Sequence, residues 1–269
     1  MRFKSSLLAT TFAAATLWLC ASPEALASTY HVSPTRVDLG GIYRSAILTI
    51  RNESSEDAVV IQTRMFSWTQ RDGDDITTPN TDLIVNPPIF TLKPGGQQVI
   101  RIGPRDARLL SANPVEATYR LLLAEVPQAP AQGNQRIAVA LNLSIPIFFS
   151  PNAVKLDDAS PKIRLSRNAN DNIFAHVANT GGKSIKISSI KLVDRTTRAM
   201  ITETDGFRYV LAGSTISWPL KPYPAPISNV AFTVTSERGT QDIEIDDADS
   251  ADRQRQTDPA NTGSASPRH

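Results

Sequence analysis

The sequence has little cysteine and little histidine, and this limits the chemistry that it can perform. One cysteine and three histidines occur among 269 residues, too few for a structural zinc site of the usual Cys/His type. Lys and Arg outnumber Asp and Glu only by 28 to 26, so the composition does not favour a nucleic-acid or anionic-membrane partner. No complete nucleophile elbow or phosphate-binding loop is present. We therefore expect no enzyme activity, no catalytic residue, no metal or cofactor and no small-molecule substrate.

The N-terminus has the pattern of a signal peptide. Arg2 and Lys4 precede an apolar run from Leu7 to Leu19, and Ala25-Leu26-Ala27 supplies a small-residue cleavage site. An uncleaved membrane anchor is the alternative, but the run is short for a span. We expect residues 1–27 to be removed on export, together with the sole cysteine, so no disulfide can form.

The rest of the chain consists of short alternating strands separated by turn residues. This spacing is typical of an antiparallel β-sandwich, and Ser150-Pro151-Asn152 is the best break between two of them. We predict an all-β protein with two β-sandwich domains, residues 28–149 and 150–245. Thr180–Lys183 has the composition of a hairpin loop. Residues 246–269 contain no Val, Leu, Ile or aromatic residue, so we expect a disordered tail.

One predicted strand, Ile137 to Phe149, is unusually long. Its alternate residues form an apolar row: Ile137, Val139, Leu141, Leu143, Ile145 and Ile147. Pro146 has no N–H to donate to a neighbouring strand, so this strand belongs on a sheet edge, at least at that end. An exposed apolar edge requires a partner to cover it. The alternative is an ordinary core strand that faces the opposing sheet.

Several segments occur in the order found in a known family. They are Pro34-Thr35-Arg36-Val37, the run 86–96, the run 116–127 and Ile145-Pro146-Ile147-Phe148-Phe149-Ser150-Pro151. With them the chain resembles the periplasmic chaperones of the chaperone–usher pilus pathway over residues 28–245. The resemblance implies two immunoglobulin-like β-sandwich domains in an L-shaped arrangement and a periplasmic location.

The resemblance also implies a function, donor-strand complementation. A pilin or fimbrial subunit that lacks its last strand receives the chaperone's long edge strand and is delivered to an outer-membrane usher. The subunit-binding residues implied are Ile137, Val139, Leu141 and Leu143.

Two departures from the family's pattern accompany the resemblance. Arg36 matches the arginine that holds the subunit's C-terminal carboxylate, but the lysine of that cationic pair falls on Pro146. Glu116 and Glu237 match acidic members of an interdomain ion network, yet its arginine position is Ser150. From the residues alone, an arginine at this position is more often a solvated surface residue or part of a local ion pair.

Three other classes of protein compete with a chaperone. A pilin subunit would be a single incomplete sandwich, whereas this chain carries two sets of strands. A β-sandwich hydrolase would need a catalytic constellation, and none is recognisable. A non-enzymatic extracellular two-domain β-sandwich binding module remains the alternative function.

Overall fold

The fold is described from a computed structural model of the chain. The description covers residues 30–40, 44–106, 108, 115–127, 140–150, 161–168, 172–204, 206–221 and 229–245. The predicted signal peptide and the predicted tail lie outside these residues. Within them, the expected alternation produces strands. In chain order the strands are β1 (Tyr30–Ser33), β2 (Val37–Gly40), β3 (Ala46–Asn52), β4 (Val59–Arg71), β5 (Asp74–Pro79), β6 (Leu83–Asn86), β7 (Ile89–Leu92), β8 (Gln97–Pro104), β9 (Ala117–Glu125), β10 (Asn142–Ser150), β11 (Lys162–Arg167), β12 (Ile173–Ala178), β13 (Ile185–Asp194), β14 (Met200–Glu203), β15 (Arg208–Val210), β16 (Thr215–Pro219), β17 (Val230–Ser236) and β18 (Gly239–Ile243).

The first ten strands form two sheets around one hydrophobic core. One sheet has the order β1-β3-β8-β6, and the other has β2-β10-β9-β4-β5 with β7 also paired to β4. Alternate residues of both sheets point into the core between them, and Leu48, Ile100, Leu121 and Ile147 are fully buried there. The pairing is antiparallel except between β2 and β10, which run parallel.

The remaining strands form a second pair of sheets with a core of their own. Their orders are β11-β12-β16 and β14-β13-β17-β18, with β15 paired to β13. Ile187, Ile216 and Phe232 are fully buried between these sheets. The two separate cores confirm the predicted fold class of two β-sandwiches.

The prediction of a hairpin at Thr180–Lys183 is wrong. β12 and β13, which flank this segment, lie in opposite sheets of the second sandwich. Gly181 and Gly182 therefore turn the chain across the core. The segment gains a second contact there, because the Gly182 carbonyl accepts a hydrogen bond from the backbone N–H of Glu116 in the first sandwich (2.9 Å).

The division of the chain at Ser150 stays a prediction. β10 ends at that residue, and the next described residue is Pro161. A small apolar cluster joins the two sandwiches: Trp68 and Phe148 from the first pack against Tyr209 and Leu211 from the second. The Tyr209 ring lies 5.6 Å from Trp68 and 5.3 Å from Phe148, measured between centroids. These buried aromatic contacts lie where the two sandwiches meet.

Candidate functional site

Strand β10 is paired on both sides over only three of its nine residues. Ile147–Phe149 lie between β2 and β9, whereas among the described residues Asn142–Pro146 pair with β9 alone and Ser150 with β2 alone. The edge-strand prediction is therefore correct for the first half, and Pro146 stands where the open edge ends. It is wrong for the second half, which is interior to the sheet. Unpaired backbone groups on such an edge can accept an additional strand.

The apolar row of β10 is divided between the protein's own core and its surroundings. Ile145 and Ile147 are buried in the first core, and Leu143 packs against it. The core-strand alternative is thus correct for Ile145 and Ile147, whereas subunit binding by Leu143 stays a prediction. Leu141 is half-buried, and its backbone N–H and carbonyl are held by Glu125. Ile137 and Val139, the other two predicted subunit-binding residues, lie outside the described residues.

The opposite face of β10 borders a cleft between the two sandwiches. The cleft has a volume of about 530 Å³ and begins beside Ser144 and Pro146. Four cationic and two acidic side chains line it: Arg36, Arg120, Lys186, Arg208, Asp75 and Glu237. Thus positive charge predominates in the cleft, at the point where the open edge of β10 ends.

Arg36 immediately precedes β2 and makes two ion pairs. Its Nη2 lies 3.0 Å from Oδ1 of Asp38, and its Nη1 lies 2.7 Å from Oε2 of Glu237 in the second sandwich. The guanidinium also stacks on the Phe148 ring at 4.3 Å. Burial by itself would lower the pKa of Arg36, but the hydrogen bond and charge of Asp38, together with Glu237, raise it. The local ion-pair interpretation of Arg36 is therefore correct, and two carboxylates already share its charge.

Arg120 was not singled out by the sequence, yet it lies in the same cleft. It stands on β9 directly opposite Pro146 of β10, and its guanidinium covers the Trp68 ring at 3.6 Å. Burial lowers its pKa, and only the charge of Asp75 and that of Tyr209 oppose this. Arg120 is the only charged residue between Ala117 and Ala124. That isolated charge in an apolar strand was the signal available in the sequence.

The other two cations of the cleft belong to the second sandwich. Arg208 donates hydrogen bonds to the backbone carbonyls of Ser217 (2.8 Å) and Gly73 (3.0 Å). The second of these bonds crosses between the sandwiches. Lys186 lies over the exposed ring of Phe207, with its Nζ 4.5 Å from the ring centroid. Arg208 thus links the two sandwiches beside the cleft, whereas Lys186 lies at the edge of the cleft.

Both predicted interdomain acids lie between the sandwiches. Glu237 meets Arg36, as described above. Oε1 of the buried Glu116 accepts a hydrogen bond from the backbone N–H of Ser184 (2.9 Å), and its Oε2 lies 3.5 Å from the Ser150 hydroxyl. Burial raises the pKa of the Glu116 carboxyl, and the hydrogen bond from the Ser184 N–H opposes that rise. At the position where the family's arginine is missing, Ser150 therefore supplies a neutral donor.

The described part of the chain offers neither a metal site nor a membrane helix. No group of three His, Cys, Asp or Glu side chains lies close enough together there to hold an ion. No helix among the described residues is long and apolar enough to cross a bilayer. The candidate site consists of the open edge of β10 and the adjacent cationic cleft.

Sequence comparison identifies relatives of the first sandwich. Residues 29–155 match the family model of the pili and flagellar-assembly chaperones, PapD N-terminal domain. The probable fimbrial chaperone LpfB of Escherichia coli O157:H7 is 28% identical over 59% of this chain and 66% of its own length. The Escherichia coli chaperone protein FaeE is 29% identical over 52% of this chain and 50% of its own. The chain thus spans between half and two thirds of the length of these relatives.

Solved structures share the fold of both sandwiches. The chaperone–tip subunit pre-assembly complex of the archaic Csu pili of Acinetobacter baumannii matches with a TM-score of 0.61 at 20% identity, covering 81% of this chain and 98% of that one. The CupB2 chaperone of Pseudomonas aeruginosa matches with a TM-score of 0.53 at 20% identity, covering 80% and 100%. Residues 29–155 are thus similar to the N-terminal domain of the pilus-assembly chaperones, and the solved chaperone structures share the fold of both sandwiches.

Proposed function

We propose that the protein is a periplasmic chaperone that captures pilus or fimbrial subunits and delivers them to an outer-membrane usher. It acts by binding, without enzymatic chemistry. The observation that carries the proposal is the open edge of β10, which ends at a cationic cleft. The extracellular binding module is less well supported, because the family match covers the very domain that contains this edge.

The open edge provides a place for one more strand. Its described part, Leu141 to Pro146, extends for roughly 20 Å at about 3.3 Å per residue. A subunit lacking its last strand gains main-chain hydrogen bonds there, and its groove receives side chains of the apolar row. Leu141 is the described member available for this, together with the proposed residues Ile137 and Val139. Each such side chain contributes roughly 1.5–3 kcal/mol of gross burial energy, before the costs of association.

Charge selects the direction of the captured strand. A strand that runs parallel to β10 along its open edge reaches the start of β2 with its C-terminal end. There it meets Arg36, Arg120 and Lys186, which favour a carboxylate. An antiparallel strand would bring its N-terminal end there, which continues into the rest of the subunit and offers the cations no carboxylate. The cleft therefore supports the parallel orientation and a role in holding the subunit's C-terminus.

Co-purification from periplasm tests the proposal. The tagged protein is co-expressed with a fimbrial subunit that lacks its last strand, and complexes are isolated by the tag. We expect the native protein to retain the subunit and Leu141→Asp to lose it. Ile84→Asp places the same charge on an exposed apolar residue of β6, in the other sheet, and should retain it. No capture by the native protein, or equal capture by all three, would refute the proposal.

A further inference from the structure

We propose that Arg120, rather than Arg36, is the principal anchor for the C-terminal carboxylate of the captured subunit, in place of the cation missing at Pro146. This inference rests on the proposed function. Arg120 and Pro146 are direct partners across the β9–β10 pair. Side chains at such positions stand on the same face of a sheet, with Cβ atoms about 4.5–5.5 Å apart. The guanidinium thus enters the cleft beside the position that a cation on residue 146 would occupy.

The other two arginines of the cleft differ from Arg120 in the partners they already have. Arg36 is paired with two carboxylates, and Arg208 is hydrogen-bonded to two backbone carbonyls. No hydrogen bond or ion pair joins the half-buried Arg120 side chain to another described residue. Asp75, the acid that acts on it electrostatically, is itself hydrogen-bonded to Gln70 Nε2 at 2.9 Å. A half-buried charge without an acceptor gains most from an incoming anion.

The geometry of Arg120 suits a planar anion. Its guanidinium carbon lies 3.6 Å from the centroid of the Trp68 ring, and a cation–π contact of this kind leaves N–H groups available to donate. A carboxylate fits two such donors at once, in a bidentate pair. The structural role of Arg36 is then different: it joins the sandwiches through Glu237 and places a second positive charge nearby.

Peptide binding by the full-length protein separates the two arginines. The probe is a labelled peptide of about ten residues with the alternating apolar pattern of the C-terminal strand that the subunit retains, made with a free acid and with an amidated C-terminus. We expect the native protein to prefer the free acid by about 10- to 100-fold, as for a hydrogen bond to a charged group. Arg120→Gln should abolish this preference, and Arg36→Gln should keep most of it.

Arg64→Gln is the matched control. Arg64 lies on β4, on the same face of the same sheet, and is exposed and bonded only to Gln62 among the described residues. This variant should bind as the native protein does, and thermal melting checks that each variant is folded. Loss of the preference in Arg36→Gln but not in Arg120→Gln overturns the assignment.

Two further outcomes distinguish a failure of the Arg120 anchor from a failure of subunit capture. Equal binding of acid and amide by the native protein, with the subunit still co-purified, overturns the anchor and leaves donor-strand capture intact. Failure of both peptides and of the subunit to bind overturns capture and the anchor together.

Discussion

At the scale of single residues, Glu116 combines burial with a position between the sandwiches. Its carboxylate accepts the Ser184 N–H, and its own backbone N–H donates to Gly182. The raised pKa means that the folded state favours the protonated form more than the unfolded state does. Protonation of Glu116 therefore stabilises the folded state. This contribution is fully present below the unfolded pKa of about 4.3 and is lost as the pH rises through the folded pKa.

Replacement of Glu116 by Gln tests this pH dependence. The amide oxygen can still accept from Ser184, but it carries no charge to desolvate. We expect the melting temperature of Glu116→Gln, relative to the native protein, to rise between about pH 4 and about pH 7. Melting curves of both proteins at several pH values measure the difference between their melting temperatures. The other carboxyl groups are the same in both proteins, so their titration does not change this difference. A difference that is constant with pH would show that ionisation of the buried Glu116 carboxyl does not lower the stability of the fold.

At the scale of elements, the C-terminal part of β10 lies inside its sheet, whereas its N-terminal part forms an open edge. Members of the same apolar row should therefore respond differently to substitution. Leu141→Asp should change the free energy of unfolding by less than about 1 kcal/mol, because Leu141 is half-buried beyond the core. Ile147→Ala should cost about 2–5 kcal/mol through the cavity left in the core. Chemical denaturation measures both, and a large loss from Leu141→Asp would place that residue in the core instead.

The end of the second sandwich provides another test at this scale. Ile243 and Ile245 both pack against the second core, and Ile245 also forms a parallel bridge with Ile163. A stop after Ile245 should leave the melting temperature unchanged, since residues 246–269 carry no large apolar side chain. A stop after Asp242 removes both isoleucines and should lower stability by roughly 1–4 kcal/mol. A clear loss of stability already with the stop after Ile245 would mean that the tail contributes to folding.

At the scale of the whole molecule, the aromatic cluster between the sandwiches couples two separate cores. Tyr209 is its centre and is almost fully buried. Tyr209→Ala should remove about 3–5 kcal/mol, the range for large aromatic residues, and should split calorimetric unfolding into two transitions. Phe207→Ala is the control, because this ring is 60% exposed and lies only at the edge of Tyr209. A single transition in both variants would show that other contacts suffice to couple the sandwiches.

The sequence predicted the alternation of β10 and its open half, because period-two patterning and the missing N–H of Pro146 are local properties. It could not predict which sheet follows the Gly181-Gly182 turn, since the same residues serve a hairpin or a crossing. Nor could it place Arg120 beside Pro146, because the register of β9 against β10 is set by tertiary packing. The pairing of Arg36 with Glu237 joins residues 201 positions apart and is likewise invisible in local patterns.

The parallel pairing of β2 with β10 has a consequence for the order of events in the cell. Val37 and Ile147 are neighbours in the sheet but about 110 residues apart in the chain. Contacts between such distant segments form late, because a long loop must first close. The open edge is part of the strand that completes the first sandwich. For the proposed function this means that a nascent chain offers no complete strand edge to a subunit until the first sandwich has closed.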